Sequence, residues 1–127
     1  MARAIQQEQR FEQFLETSRV ISLTLYENDG VTPIVLTGMT MIYTHRKETK
    51  DSAYLLRKSS ANAGEIDIVV AASGTFTITI DQADTTATTD SGDYDHVLMY
   101  TPSGGEREAV MWGKYIWKKS AFKSTDT

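Results

Sequence analysis

The residues equipped for chemistry are few and scattered. They are His45, His96, the aspartates Asp81, Asp84, Asp90, Asp93 and Asp95, and the triplet Glu106-Arg107-Glu108. Both histidines fall in alternating, strand-like runs, so they could meet across a sheet. A zinc site takes three or four ligands, and with no cysteine in the chain no third ligand is evident. Histidines held as part of the framework are therefore the expectation, and no metal or cofactor is expected. The aspartate spacing does not fit the D-x-D-x-D-G calcium loop; caps and turns account for it better. Glu106 and Glu108 share a strand face just after a hairpin, and paired carboxylates hydrolyse glycosides only where they flank a cleft. Gly104-Gly105 lies in a hairpin and does not precede a helix, as a phosphate-binding loop would. No serine sits in a nucleophile-elbow pattern. Catalysis is not expected.

Four aromatics near the C-terminus, Tyr100, Trp112, Tyr115 and Trp117, have a second possible use. Packing is the expectation for Trp112. Tyr115 and Trp117, beyond a bulge expected at Gly113, could instead form a protein interface or a sugar platform. Trp117 lies among Lys114, Lys118 and Lys119, which makes it the better interface candidate.

The elements that would position these residues read as strands. The organising stretch is Ile21 to Arg46. Ile21, Leu23 and Leu25 alternate with Ser22, Thr24 and Tyr26, and a period of two places the aliphatics on one face. Asn28-Asp29-Gly30 is a turn, because Asn and Asp bond nearby backbone and Gly accepts positive φ. Leu36 reads as a buried anchor and Gly38 as a place where the chain can turn between sheets. Met39 to His45 carries apolar groups on both faces. Downstream, Ala53 to Lys58, Glu65 to Val70 and Thr75 to Ile80 read as strands, the last with Phe76, Ile78 and Ile80 alternating with threonines. Residues 81–90 suit a short helical turn capped by Asp81 or Asp84. A long strand opens at Gly92-Asp93-Tyr94, with Tyr94 placed as a tyrosine corner, and returns through Pro102 to Gly105 into a strand from Glu106 to Trp117.

Residues 1–15 form an N-terminal arm, helical or extended, that could dock on a partner through Ile5, Phe11 and Phe14. Its alternative is a short strand carrying Phe11, Gln13 and Leu15. Residues 16–118 are the domain, and 119–127 are a polar tail. Seven to eight strands with turn signals between them, and no long helix, predict an all-β, immunoglobulin-like antiparallel sandwich with a short arm.

Composition narrows the classes further. At 127 residues the chain suits one domain, and 40% hydrophobic with 24% charged residues is ordinary for a globular protein. A net charge of −4 argues against general nucleic-acid binding, which needs a cationic face. No apolar run reaches membrane-spanning length, and the first residues lack the apolar centre of a secretory signal, so neither membrane nor secretion is expected.

Three motifs together resemble a known family. Asp29-Gly30-x-x-Pro33-Ile34-x-Leu36-Thr37-Gly38 is similar to the opening of the immunoglobulin-like domain of bacteriophage baseplate upper proteins and related tail proteins. Asp84-Thr85 followed by Gly92-Asp93-Tyr94 resembles that family's entry into its penultimate strand. Gly105 with Gly113-Lys114-Tyr115-Ile116 resembles its closing hairpin. The likeness runs over residues 16–118. It implies a non-enzymatic virion protein, made in the host cytoplasm and assembled with other virion proteins as a ring or trimer. In the family this domain usually begins a longer protein. The added arm and the end at Thr127 therefore point to an adaptor or assembly element in tail, baseplate, neck or capsid, rather than to receptor binding. The alternative is a carbohydrate-binding sandwich in host adsorption, using Tyr115 and Trp117.

Overall fold

Alternating side chains and frequent turn residues leave this chain little choice but to pair strands and close them into layers. The computed structural model describes residues 7–8, 10–27, 29–48, 53–86 and 88–119. The strands are β1 (Gln7–Glu8), β2 (Phe11–Phe14), β3 (Arg19–Thr24), β4 (Thr40–Arg46), β5 (Leu56–Ser59), β6 (Ile66–Val70), β7 (Thr75–Ile80), β8 (Gly92–Thr101) and β9 (Glu108–Lys118). The smaller sheet has the order β3-β7-β6. The larger has the order β9-β8-β4-β5, with β1 and β2 sharing one lane along the free side of β9. β3 crosses to the smaller sheet alone, and from β4 on successive pairs of strands alternate between the sheets, as in immunoglobulin-like sandwiches. The fold is an all-β sandwich of five lanes over three.

The core lies between the layers and is built from period-two faces. Phe76, Ile78 and Ile80 of β7 are at most 1% exposed, while the threonines between them face outward. From the larger sheet, Met41, Tyr43 and His45 of β4 and Tyr94, His96, Leu98 and Tyr100 of β8 meet them.

The organising stretch works through backbone ties. The Asp29 carboxylate accepts the N–H groups of Val31 and Thr32, each at 2.8 Å, which closes the turn. The returning chain then donates from Ile34 N–H to Leu25 O and from Leu36 N–H to Ala71 O, both at 3.0 Å. Leu36 is buried as a result. Ala71–Ser73 form one 3-10 turn, ended by Gly74 at φ 69°. At Gly74 the 3-10 turn passes close to the backbone of the organising stretch. The Gly74 carbonyl accepts from Leu25, and a Cβ there would sit 2.7 Å from Leu25 O and 2.8 Å from Ile34 O. Gly38, at φ 75°, turns the chain from this segment into β4.

The strand layout departs from the sequence reading at two places. Residues 11–15, grouped with the arm, follow the alternative of a short strand through Phe11, Gln13 and Leu15: β1 and β2 pair with β9 in parallel at the same register offset, and Leu15 is buried. This lane is the exception to an otherwise antiparallel arrangement. It forms because Phe11, Gln13 and Leu15 alternate, so the inward side chains can complete the core. The bulge expected at Gly113 lies instead between Ala109 and Met111, and Gly113 pairs in register with His96. Ile5 and residues 120–127 of the tail lie outside the described residues.

Candidate interaction surface

The position of the bulge decides the roles of the aromatics. From Met111 onward β9 alternates without interruption, so Met111, Gly113, Tyr115 and Trp117 share the inner face and Trp112 takes the outer one. Tyr115 and Trp117 are 0% and 1% exposed. They are core residues, and this corrects the interface and sugar-platform expectation. Trp112, expected in the core, is half-buried on the outside of the sheet.

The inner aromatics form a polar chain within the core. His45 and His96 are direct cross-strand partners, with ring centroids 6.0 Å apart. Trp117 Nε1, which can only donate, lies 3.1 Å from His45 Nδ1. That nitrogen therefore carries no proton, and neutral His45 is protonated at Nε2. Nε2–H points at the Tyr43 hydroxyl oxygen 2.9 Å away, and the hydroxyl in turn donates to His96 Nδ1 at 2.9 Å. Tyr115 donates its hydroxyl to Gln13 Oε1, and Gln13 Nε2 donates to Thr17 O at 2.9 Å. Burial, reinforced by the neighbouring His96, holds His45 well below the usual histidine range. Burial likewise raises Tyr43 well above the usual phenol range and pushes Tyr115 up to about 12. Every buried side-chain nitrogen and oxygen among the described residues has a partner. Both His45 ring nitrogens are occupied, so neither offers a lone pair to a metal or a proton to a substrate. The cluster is a framework.

The aspartates serve separate local ties. Asp84 holds Lys58, which is 5% exposed, at 2.8 Å, and its carboxylate also accepts the Asp81 N–H at 2.7 Å. Asp95 pairs with Lys114 at 2.6 Å on the outer face. The Asp90 carbonyl accepts the Tyr94 hydroxyl at 2.9 Å, which forms the tyrosine corner next to Gly92. Glu106 and Glu108 line a cleft of about 590 Å³ with Ile34, Tyr100, Pro102, Gly105 and Arg107. Among the described residues, no histidine or serine lines that cleft. Among the described residues no three histidine, aspartate or glutamate side chains gather closely enough to hold a metal.

Apolar side chains also face outward. Cross-strand pairing lines up Ile42 with Met99 and Ala109, and Thr44 with Val97 and Trp112, across the middle of the larger sheet. Arg46, Asp95 and Lys114 form the next row, and Ile116 lies beyond it. A shallow depression of about 200 Å³ opens among Thr44, Arg46, Asp95, Val97 and Met99. At the edge lane Phe14 is 51% exposed beside Lys118, while Phe11 turns inward, its ring 5.4 Å from His96. Trp112 with an apolar centre and a charged border has the anatomy of a contact surface.

No family model matches the chain, and no curated protein matches it.

The sequence assigns no role in a site to Gln13, Tyr43, Val97 or Met99. Gln13 sits in the apolar phase of Phe11-x-Gln13-x-Leu15, and that phase was the available sign that its amide would be buried. Val97 and Met99 alternate opposite the tyrosines of β8, and only the identity of the inner face showed that they lie outside.

Proposed function

We propose that this protein is a non-enzymatic structural element that works through subunit contacts, an adaptor or assembly component of a bacteriophage particle. The observation that carries the contact role is the outer face of the larger sheet. There Trp112, Val97, Met99, Ile42 and Ile116 stay only partly buried behind a charged border, on a domain whose titratable core is closed and internally paired. Tryptophan on a partly wet apolar surface is the residue most often found to dominate association energy. The phage setting rests on the motif likeness through Leu36-Thr37-Gly38 and Gly92-Asp93-Tyr94, and with it come a homo-oligomeric ring or trimer and other virion proteins as partners.

Light scattering on the purified chain, alone and mixed with other virion proteins, tests the role. A defined oligomer or mixed complex that Trp112→Ala weakens at least tenfold is the expected result. A strict monomer that joins nothing, with a Trp112→Ala variant that assembles normally, would sink it.

A further inference from the structure

We propose that the N-terminal strand is exchanged between copies of this chain, so that β2 of one subunit lies along β9 of its neighbour. Exchange presupposes the subunit-contact role above and specifies its partner as a second copy.

The strand is built like an insert. Its backbone pairing is with β9 alone, in parallel like that of β1, while the remaining paired strands of both sheets run antiparallel. Its inner side chains complete a core that other elements have shaped. The Phe11 ring packs 5.4 Å from His96 and 5.6 Å from Tyr115, Gln13 takes the Tyr115 hydroxyl, and Leu15 is 4% exposed. Without the strand, Tyr115 would lose its Gln13 acceptor and the inner side of β9 would open to water, so the groove beside β9 calls for this sequence from some chain.

The link to the rest of the domain is short and strained. Leu15 N–H still pairs with Lys118 O, and β3 in the opposite sheet begins at Arg19. Three residues therefore carry the chain across the sandwich. The start of the crossing is forced: Glu16 has φ 60°, the one positive φ among the described non-glycine residues, and its N–H is held by Thr85 Oγ1 at 2.7 Å. A non-glycine residue held left-handed stores strain that an extended hinge releases. Exchange remakes every contact of β2 in trans and relaxes Glu16, and short strained hinges favour that outcome.

The chain has no cysteine, which makes the test direct. Glu12 and Ile116 are register partners on the outer face, so a Glu12→Cys/Ile116→Cys variant can close a disulfide within one chain or between two. Oxidation of the native protein followed by a denaturing, non-reducing gel should give covalent multimers. Glu16→Gly, which removes the strain, should lower the multimer share several-fold. Glu16→Pro, whose ring forbids positive φ, should raise it to nearly all of the protein. A monomeric band from a protein that is oligomeric by light scattering would overturn exchange and leave the subunit-contact role standing. A monomeric band from a monomeric protein would overturn exchange, and would overturn both if that monomer also joins no other virion protein. A folded, monomeric Glu16→Pro protein would also overturn exchange.

Discussion

At the scale of single residues, the two tryptophans have opposite uses although they are five positions apart. Trp117 is buried and donates to His45, so Trp117→Ala should cost about 3–5 kcal/mol of unfolding free energy, measured by urea denaturation. Trp112→Ala removes only a half-buried outer ring and should cost under about 1 kcal/mol in the same assay. Its effect should appear in association. His45 gives the chain a pH dependence whose sign follows from its neighbours. Trp117, Tyr43, Tyr115 and His96 all face it and none is a carboxylate. Its folded pKa is depressed below the unfolded value near 6.5, so the unfolded chain takes up the proton first as pH falls. Stability is full above pH about 6.5 and falls below it by up to about 1.4 kcal/mol per pH unit for this one group. Denaturation midpoints between pH 7.5 and 5 should show that slope, and His45→Gln should flatten it while lowering stability at pH 7.5. A slope unchanged in that variant would show that another group titrates.

At the scale of elements, two connections decide whether the layers close. Gly74 lets the 3-10 turn approach the organising stretch, and any Cβ there meets the carbonyl oxygens of Leu25 and Ile34. Gly74→Ala should therefore destabilise by about 2 kcal/mol or more, since backbone must move and φ stays positive. A loss as small as the 0.5–1 kcal/mol typical of ordinary helix or strand positions would show that the tie relaxes easily. The N-terminal lane is the other connection. Removing residues 1–15 deletes Phe11, Gln13 and Leu15 from the core, so the shortened chain should melt well below the full one and bind an apolar dye. If the arm only served to dock partners, its removal would leave the melting temperature unchanged.

At the scale of the molecule, one shared core predicts one cooperative transition. Tryptophan fluorescence, which reports both Trp112 and Trp117, and far-UV circular dichroism should give coincident unfolding curves. Two separated transitions would mean that the sheets melt independently. The closed core leaves the outer sheet face and the edge lane as the surfaces through which the proposed subunit contacts would run.

Much of the sandwich was legible in the order of residues. Phe76-x-Ile78-x-Ile80 and Tyr94-x-His96-x-Leu98-x-Tyr100 state their periods openly, and Asp29-Gly30 states its turn, because these depend only on local geometry and side-chain polarity. Pairing was not legible. Whether the inner face of β9 carries Trp112 or Trp117 depends on a single extra residue near Val110, and any bulge shifts the alternation beyond it. Whether Phe11 to Leu15 dangles or joins a sheet depends on a partner strand a hundred residues away. The sequence by itself determined the strands, the turns and the class of fold. Only the tertiary structure decided which faces look inward, which histidine nitrogen meets which donor, and where the outer surface lies, because register between distant strands is set by packing and not by neighbours along the chain.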